Sequence, residues 1–143
     1  MSEEIRVRRE IVEEMLRLAR SEPRMECCGL LAGVDGVITT IFPAKNALAS
    51  PTAYEVAPGD LFPIFRQMRE EGLEHLGIYH SHPASDNFPS ARDIEQAGYP
   101  YQAYLIISLL PAASKPIRAF FIRDGHTAET EIIIVEVKRP GSA

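Results

Sequence analysis

A strand that ends in two histidines constrains this chain more than any other feature. Leu76-Gly77-Ile78-Tyr79-His80 reads as a short buried β-strand, and His80 and His82 lie two residues apart at its exit. Side chains two apart on extended backbone project from one face, so the two imidazoles stand side by side in chelating geometry. Asp93 follows one turn into a helix that opens at Ser90, and the intervening loop can fold its carboxylate back onto the imidazoles. The chain therefore has to build a strand, a loop and a helix around one point.

Two histidines and one carboxylate make a catalytic type of zinc shell, because three protein ligands leave the fourth tetrahedral position to water, whereas structural zinc is closed by four, usually Cys-rich, ligands. Cys27 and Cys28 are the chain's two cysteines and they are adjacent, so no second Cys pair exists to close such a site. Neighbouring Cα atoms are also too close for an unstrained disulfide, and the expectation is one or two buried, inert thiols. Zinc lowers the pKa of its water towards ~7, but a base is still needed to take the proton and pass it to a leaving amine. Glu26 is the candidate, at the loop end just before the Leu30-Leu31 strand, where a sheet neighbour can aim it at the metal. Ser90-Ala91-Arg92-Asp93 also fits a helix capping box, with Ser as N-cap and an acid three residues on. At this level ligand and cap compete for Asp93, while Ser90 can both cap and donate to a developing oxyanion. His75 and His126 read as packed or solvated residues.

Spacing removes other metal chemistries. Neither the H-x-E with P-C-x-x-C of zinc deaminases nor H-E-x-x-H is present. A metal-dependent barrel hydrolase needs about 250 residues, and this chain has 143. A cupin would be nearly all β and would add a Glu and a third His, for which Asp86 and His126 are poor substitutes.

Apolar residues at helical spacing from Arg9 (Ile11, Val12, Met15, Leu16, Ala19) predict a first helix stopped at Pro23. Gly29–Gly33 and Val37–Phe42 flank Val34-Asp35-Gly36 as a hairpin. Residues 43–59 are irregular, with a short strand at Tyr54-Glu55-Val56. A second helix is expected to open on Asp60 as N-cap, bury Leu61, Ile64, Phe65 and Met68, and end at Gly72. After a brief helix from Ser90 to Ala97 come strands at Tyr101–Leu110, Ile117–Arg123 and Glu129–Val137, the last read as covered on both faces. The expectation is a single α/β domain spanning 1–143, with one central mixed sheet. With 15 Lys+Arg against 20 Asp+Glu and a net charge of −5, the chain has no basic block for nucleic acid. The charged start Met1–Arg6 and the lack of a long apolar run predict no signal peptide and no membrane helix, hence a cytoplasmic protein.

Glu26, His80-Ser81-His82, Ser90 and Asp93 fill every position of E…H-[S/T]-H-x7-S-x2-D, and the chain resembles the JAMM (MPN+, Mov34/PAD-1) metallopeptidases from about residue 5 to 137. The flanks Glu26-Cys27-Cys28-Gly29-Leu30-Leu31-Ala32-Gly33, His82-Pro83 and Pro89-Ser90 are similar to the small prokaryotic members. The resemblance implies a mostly antiparallel curved sheet flanked by helices, the cytidine-deaminase-like sandwich of that family. It implies one Zn2+ per chain held by His80, His82 and Asp93, with Glu26 as general acid/base and Ser90 steadying the tetrahedral intermediate. The cap reading then survives for Ser90 alone. The implied reaction is hydrolysis after the C-terminal Gly-Gly of a ubiquitin-like protein. Asn46–Tyr54 together with Ile78–His82 resembles the branch that trims sulfur-carrier proteins, including release of cysteine, so the expected partner is the carrier's C-terminal tail. The alternative implied by the same resemblance is a non-catalytic MPN-type scaffold for such carriers.

Overall fold

The computed structural model describes residues 4–136. Val137, where the last strand was expected to end, lies outside the described residues. The elements run β1 (Glu4–Arg8), α1 (Arg9–Ser21), β2 (Cys28–Val34), β3 (Val37–Ala44), α2 (Pro58–Glu70), β4 (Glu74–His82), α3 (Ala91–Gln96), β5 (Ala103–Ser108), β6 (Ile117–Arg123) and β7 (His126–Val135). Among the described residues no helix is long and apolar enough to cross a membrane.

The mixed α/β class is as expected, but the sheet is more evenly mixed: β2–β3, β2–β4, β5–β6 and β6–β7 pair antiparallel, whereas β4–β5, β1–β3 and β1–β7 pair parallel. The curvature goes further than expected, since the strands close in the order β1-β3-β2-β4-β5-β6-β7. Closure depends on β1, which lies parallel to both β3 and β7. The sequence reading started with α1 and missed this strand. Its alternation of Ile5 and Val7 with Glu4, Arg6 and Arg8 is a half-buried strand pattern, but one too short to stand out beside a strong helix. Val7 is fully buried in the core.

Helices cover the sheet on two faces. Ile11, Met15 and Ala19 of α1 pack on Val7, Leu31, Tyr79, Leu105 and Phe121. Ile64 and Met68 of α2 pack on Leu30, Ile78, Ile106, Phe120 and Ile122. Because successive strand residues face opposite sides, Ile78 carries His80 and His82 onto the α2 side of β4, while Tyr79 carries Ser81 onto the other.

Three element boundaries correct the sequence reading. Helix α2 starts at Pro58 rather than being capped by Asp60, and its N-cap Ala57 makes no side-chain cap bond. Proline at a helix start has the right φ and no N–H to leave unpaired. Asp60 instead accepts the Lys45 N–H at 2.8 Å, tying the 45–57 loop to the helix. The strand expected at Tyr54–Val56 reduces to one bridge, Asn46 to Val56. Strand β7 begins at His126, and Ile134 is 41% exposed, so the Ile132–Val135 run is not covered on both faces. The run pairs with β1, while the first half of the strand, His126 to Thr130, pairs with β6.

The two cysteines are free thiols, and burial pushes Cys28 up to about 12, consistent with an inert core residue. The β2–β3 hairpin carries a bulge between Ala32 and Gly33. A Cβ at Gly33 would lie 1.7 Å from the Val37 carbonyl oxygen, a backbone atom that cannot swing away. Gly33→Ala is expected to destabilise the fold by roughly 2–3 kcal/mol or more, read as a lower denaturant midpoint. An unchanged midpoint would mean the hairpin relaxes freely at the bulge.

Candidate metal centre

Strand β4 and helix α3 bring three ligand atoms to one point. The Nε2 atoms of His80 and His82 lie 3.1 Å apart, and Asp93 Oδ2 lies 3.2 Å from each. All three residues are buried. His82 Nδ1–H donates to the Asp86 carbonyl at 2.6 Å, which fixes the ring with its Nε2 facing the cluster. The His80 ring stacks on Tyr54 at 4.2 Å, and its Nδ1 is buried without a partner.

Ser90 caps α3, as expected, but so does Asp93. The Ser90 hydroxyl accepts the Asp93 N–H at 3.0 Å, and Asp93 Oδ2 accepts the Ser90 N–H at 2.9 Å, a complete capping box. The expectation that Asp93 must choose between cap and cluster is therefore wrong. A carboxylate oxygen has more than one lone pair, so Oδ2 takes a backbone N–H on one side and faces the imidazoles on the other.

Glu26 joins this cluster: one ligand atom from each of Glu26, His80, His82 and Asp93 lies within 4.8 Å of every other. It sits just before β2, whose first residue Cys28 pairs with His80 across the sheet. Its backbone is held from several directions. Glu26 N–H donates to Ser50 O at 2.9 Å, and Asn46 Nδ2–H donates to Glu26 O at 3.0 Å. Next to it, Cys27 N–H donates to Ser81 Oγ at 2.8 Å. Ser81, Asn46 and Tyr54 lie in segments that carry the family resemblance, but their supporting contacts, and that of Asp86, are not readable from the sequence. Only Ser81 left a signal, since alternation sends the residue between the two histidines to the opposite face. His75 stays structural: its Nε2 bonds the Gly77 carbonyl, and its ring meets Phe65 and Tyr99 edge-on. His126 is exposed at the start of β7.

Burial dominates the electrostatics. Desolvation raises the Glu26 carboxyl to about 7, with His82 opposing and Asp93 reinforcing the shift. Burial pushes the Asp93 carboxyl up as well, but its bonds to His80, His82 and the Ser90 N–H hold it far below the usual range. Burial lowers His80, whereas in His82 it is outweighed by the bonds to Asp93 and Asp86. One Glu26 oxygen is buried with no hydrogen-bond partner. A tetrahedral cation with bonds of ~2.0–2.1 Å would separate its ligand atoms by ~3.3 Å, close to the separations found here. The two Nε2 lone pairs and a carboxylate oxygen suit such an ion, and the orphaned Glu26 oxygen suits a water beside it. Tyr54, whose ring stacks on His80, lines a cavity of about 400 Å³ together with Val56, Leu61, Ile78, Tyr99 and Tyr104 among others.

Comparison with known proteins matches residues 8–123 to the family described as prokaryotic homologs of the JAB domain. A CysO-cysteine peptidase of Mycobacterium tuberculosis is 32% identical over 132 residues, covering 91% of this chain and 90% of that protein. A desampylase of Haloferax volcanii is 41% identical over 93 residues, covering 63% and 67% respectively. A solution structure of a Desulfitobacterium hafniense protein superposes with a TM-score of 0.82 at 37% identity, covering 92% of each chain.

The raised Glu26 carboxyl has a consequence for the metal-free protein. Between the ordinary carboxylate value and about 7 the folded state binds a proton that the unfolded state has lost, so stability falls as pH rises through that window. Glu26→Gln removes this dependence. Denaturant unfolding of metal-free protein at a series of pH values should show the variant gaining on the wild type from about pH 4.5 to 7. Parallel curves would place Glu26 in water rather than in the interior.

Proposed function

The chain belongs to the family of prokaryotic homologs of the JAB domain and is a peptidase of the JAMM type, and from that premise we propose that it is zinc-dependent and hydrolyses the bond after the C-terminal Gly-Gly of a ubiquitin-like or sulfur-carrier protein. The observation that carries this reading is the burial of Glu26 against His80, His82 and Asp93. His80, His82 and Asp93 would hold the ion through Nε2, Nε2 and a carboxylate oxygen. Zinc bound there supplies Lewis acidity, polarising the scissile carbonyl and acidifying water.

The remaining steps belong to the chain's own groups. Glu26, with its carboxyl near 7, can accept a proton from the attacking water and return it to the leaving amine. Its backbone bonds to Asn46 and Ser50 and the neighbouring Cys27–Ser81 bond keep that carboxyl aimed at the reacting atoms. Ser90 spends a lone pair on the Asp93 N–H, which leaves its hydroxyl proton free to donate to the carbonyl oxygen as that oxygen gains charge. The cavity lined by Tyr54, the residue stacked on His80, is a mostly apolar space in which an extended tail can lie. The CysO-cysteine peptidase and desampylase among the relatives support a carrier tail as substrate and a cysteine or a conjugated amine as leaving group.

One experiment separates metal from base. Wild type, His82→Ala and Glu26→Gln are assayed for bound zinc and for cleavage of a carrier–peptide fusion. Wild type and Glu26→Gln should each carry about one zinc and His82→Ala none, while Glu26→Gln loses about 10²–10⁴-fold in turnover. Wild-type cleavage by Glu26→Gln would remove Glu26 as the base, and folded wild type that takes up no zinc would remove the metal centre.

A further inference from the structure

His82 is oriented by a backbone carbonyl, that of Asp86, in the loop joining β4 to α3. No side-chain substitution deletes a carbonyl, but any shift of the loop moves it. The residue after it, Asn87, is fully buried, and its N–H and both polar atoms of its side chain are hydrogen-bonded. Its N–H donates to Asp86 Oδ1 at 2.8 Å, its Nδ2–H donates to Lys115 O at 2.8 Å, and its Oδ1 accepts from Arg118 Nε–H at 3.1 Å. Arg118 is held in turn. Nη1–H donates to Glu129 Oε2 and Nη2–H to Ser114 Oγ, both at 2.8 Å, and the guanidinium lies 4.5 Å over the Phe88 ring. The three guanidinium nitrogens thus join the β4–α3 loop, β7 and the loop before β6, and the Arg118 side chain is only 12% exposed.

We propose that Arg118 and Asn87 are positioning residues for the metal centre: they lock the β4–α3 loop so that the Asp86 carbonyl holds His82 in the Nδ1–H tautomer with Nε2 presented to the ion. The inference rests on the reading that His80, His82 and Asp93 bind metal. It assigns to a residue on β6, remote in sequence from the motif, part of the affinity for the ion. Hydrogen-bond partners of a ligating histidine commonly alter metal affinity by 10–100-fold when lost. A lysine at 118 keeps the charge but cannot make three directed bonds.

The test titrates metal-free wild type, Arg118→Ala, Arg118→Lys and Glu129→Ala with Zn2+ against a chromogenic chelator. Imidazole nitrogen shifts of His82 and thermal unfolding are recorded on the same metal-free samples. Zinc affinity should fall about 10–100-fold in Arg118→Ala and less in Arg118→Lys and Glu129→Ala, with His82 passing from one tautomer to a mixture. A lower melting temperature with unchanged zinc affinity and an unchanged His82 tautomer would make Arg118 merely structural and overturn the proposal. If Arg118→Ala fails to fold, the same readouts on Arg118→Lys and Glu129→Ala decide it. Wild type that binds no zinc overturns the metal-centre reading and this proposal with it, whereas tight wild-type binding with unaltered variants overturns this proposal alone.

Discussion

Four ionisable side chains are buried against one another at the exit of β4, and the rest of the structure has to make that tolerable. Buried charges are costly unless paired, hydrogen-bonded or bound to a cation. Asp93 meets the requirement in the protein itself: one oxygen accepts the Ser90 N–H and faces both imidazoles, and the carboxyl stays ionised despite its burial. Glu26 does not, and its unpartnered oxygen and raised carboxyl mark the position where the site is chemically unfinished. Two carboxyls a few ångströms apart are thus driven in opposite directions by their surroundings, one down and one up.

Strand alternation does much of the placing. The α2 face of β4 receives His80 and His82, and the opposite face receives Ser81, whose hydroxyl accepts the Cys27 N–H beside Glu26. One three-residue segment therefore supplies two imidazoles and also anchors the backbone beside Glu26, just before a neighbouring strand. The pairing of Cys28 with His80 makes this connection short. On the far side, Asn46 and Ser50 hold Glu26 through its own backbone, so the irregular 45–57 segment serves as a clamp.

Much of the site was legible in the sequence because its geometry follows from local periodicity. A spacing of two along a strand places two imidazoles together, and Ser90 three residues before Asp93 announces a helix start. Less was legible where one residue serves two partners. Asp93 reads as either cap or ligand, and in the structure its Oδ2 accepts the Ser90 N–H while facing both imidazoles. Asp60 reads as a cap, yet Pro58 starts the helix and Asp60 holds Lys45 instead. Strand β1 was missed because five residues of alternating pattern carry little weight until β3 and β7 lie on either side of them.

The sequence by itself determined the strand that pairs His80 with His82, the helix start at Ser90-x-x-Asp93 and the hairpin around Asp35-Gly36, because each of these depends on residues near one another along the chain. Tertiary structure alone decided that the sheet closes through β1, that Glu26 lies within reach of residues more than fifty positions away, and that Arg118 and Asn87 brace the loop beside His82. Those are contacts between distant segments, and their energy comes from burial and from hydrogen bonds completed only when the sheet is assembled.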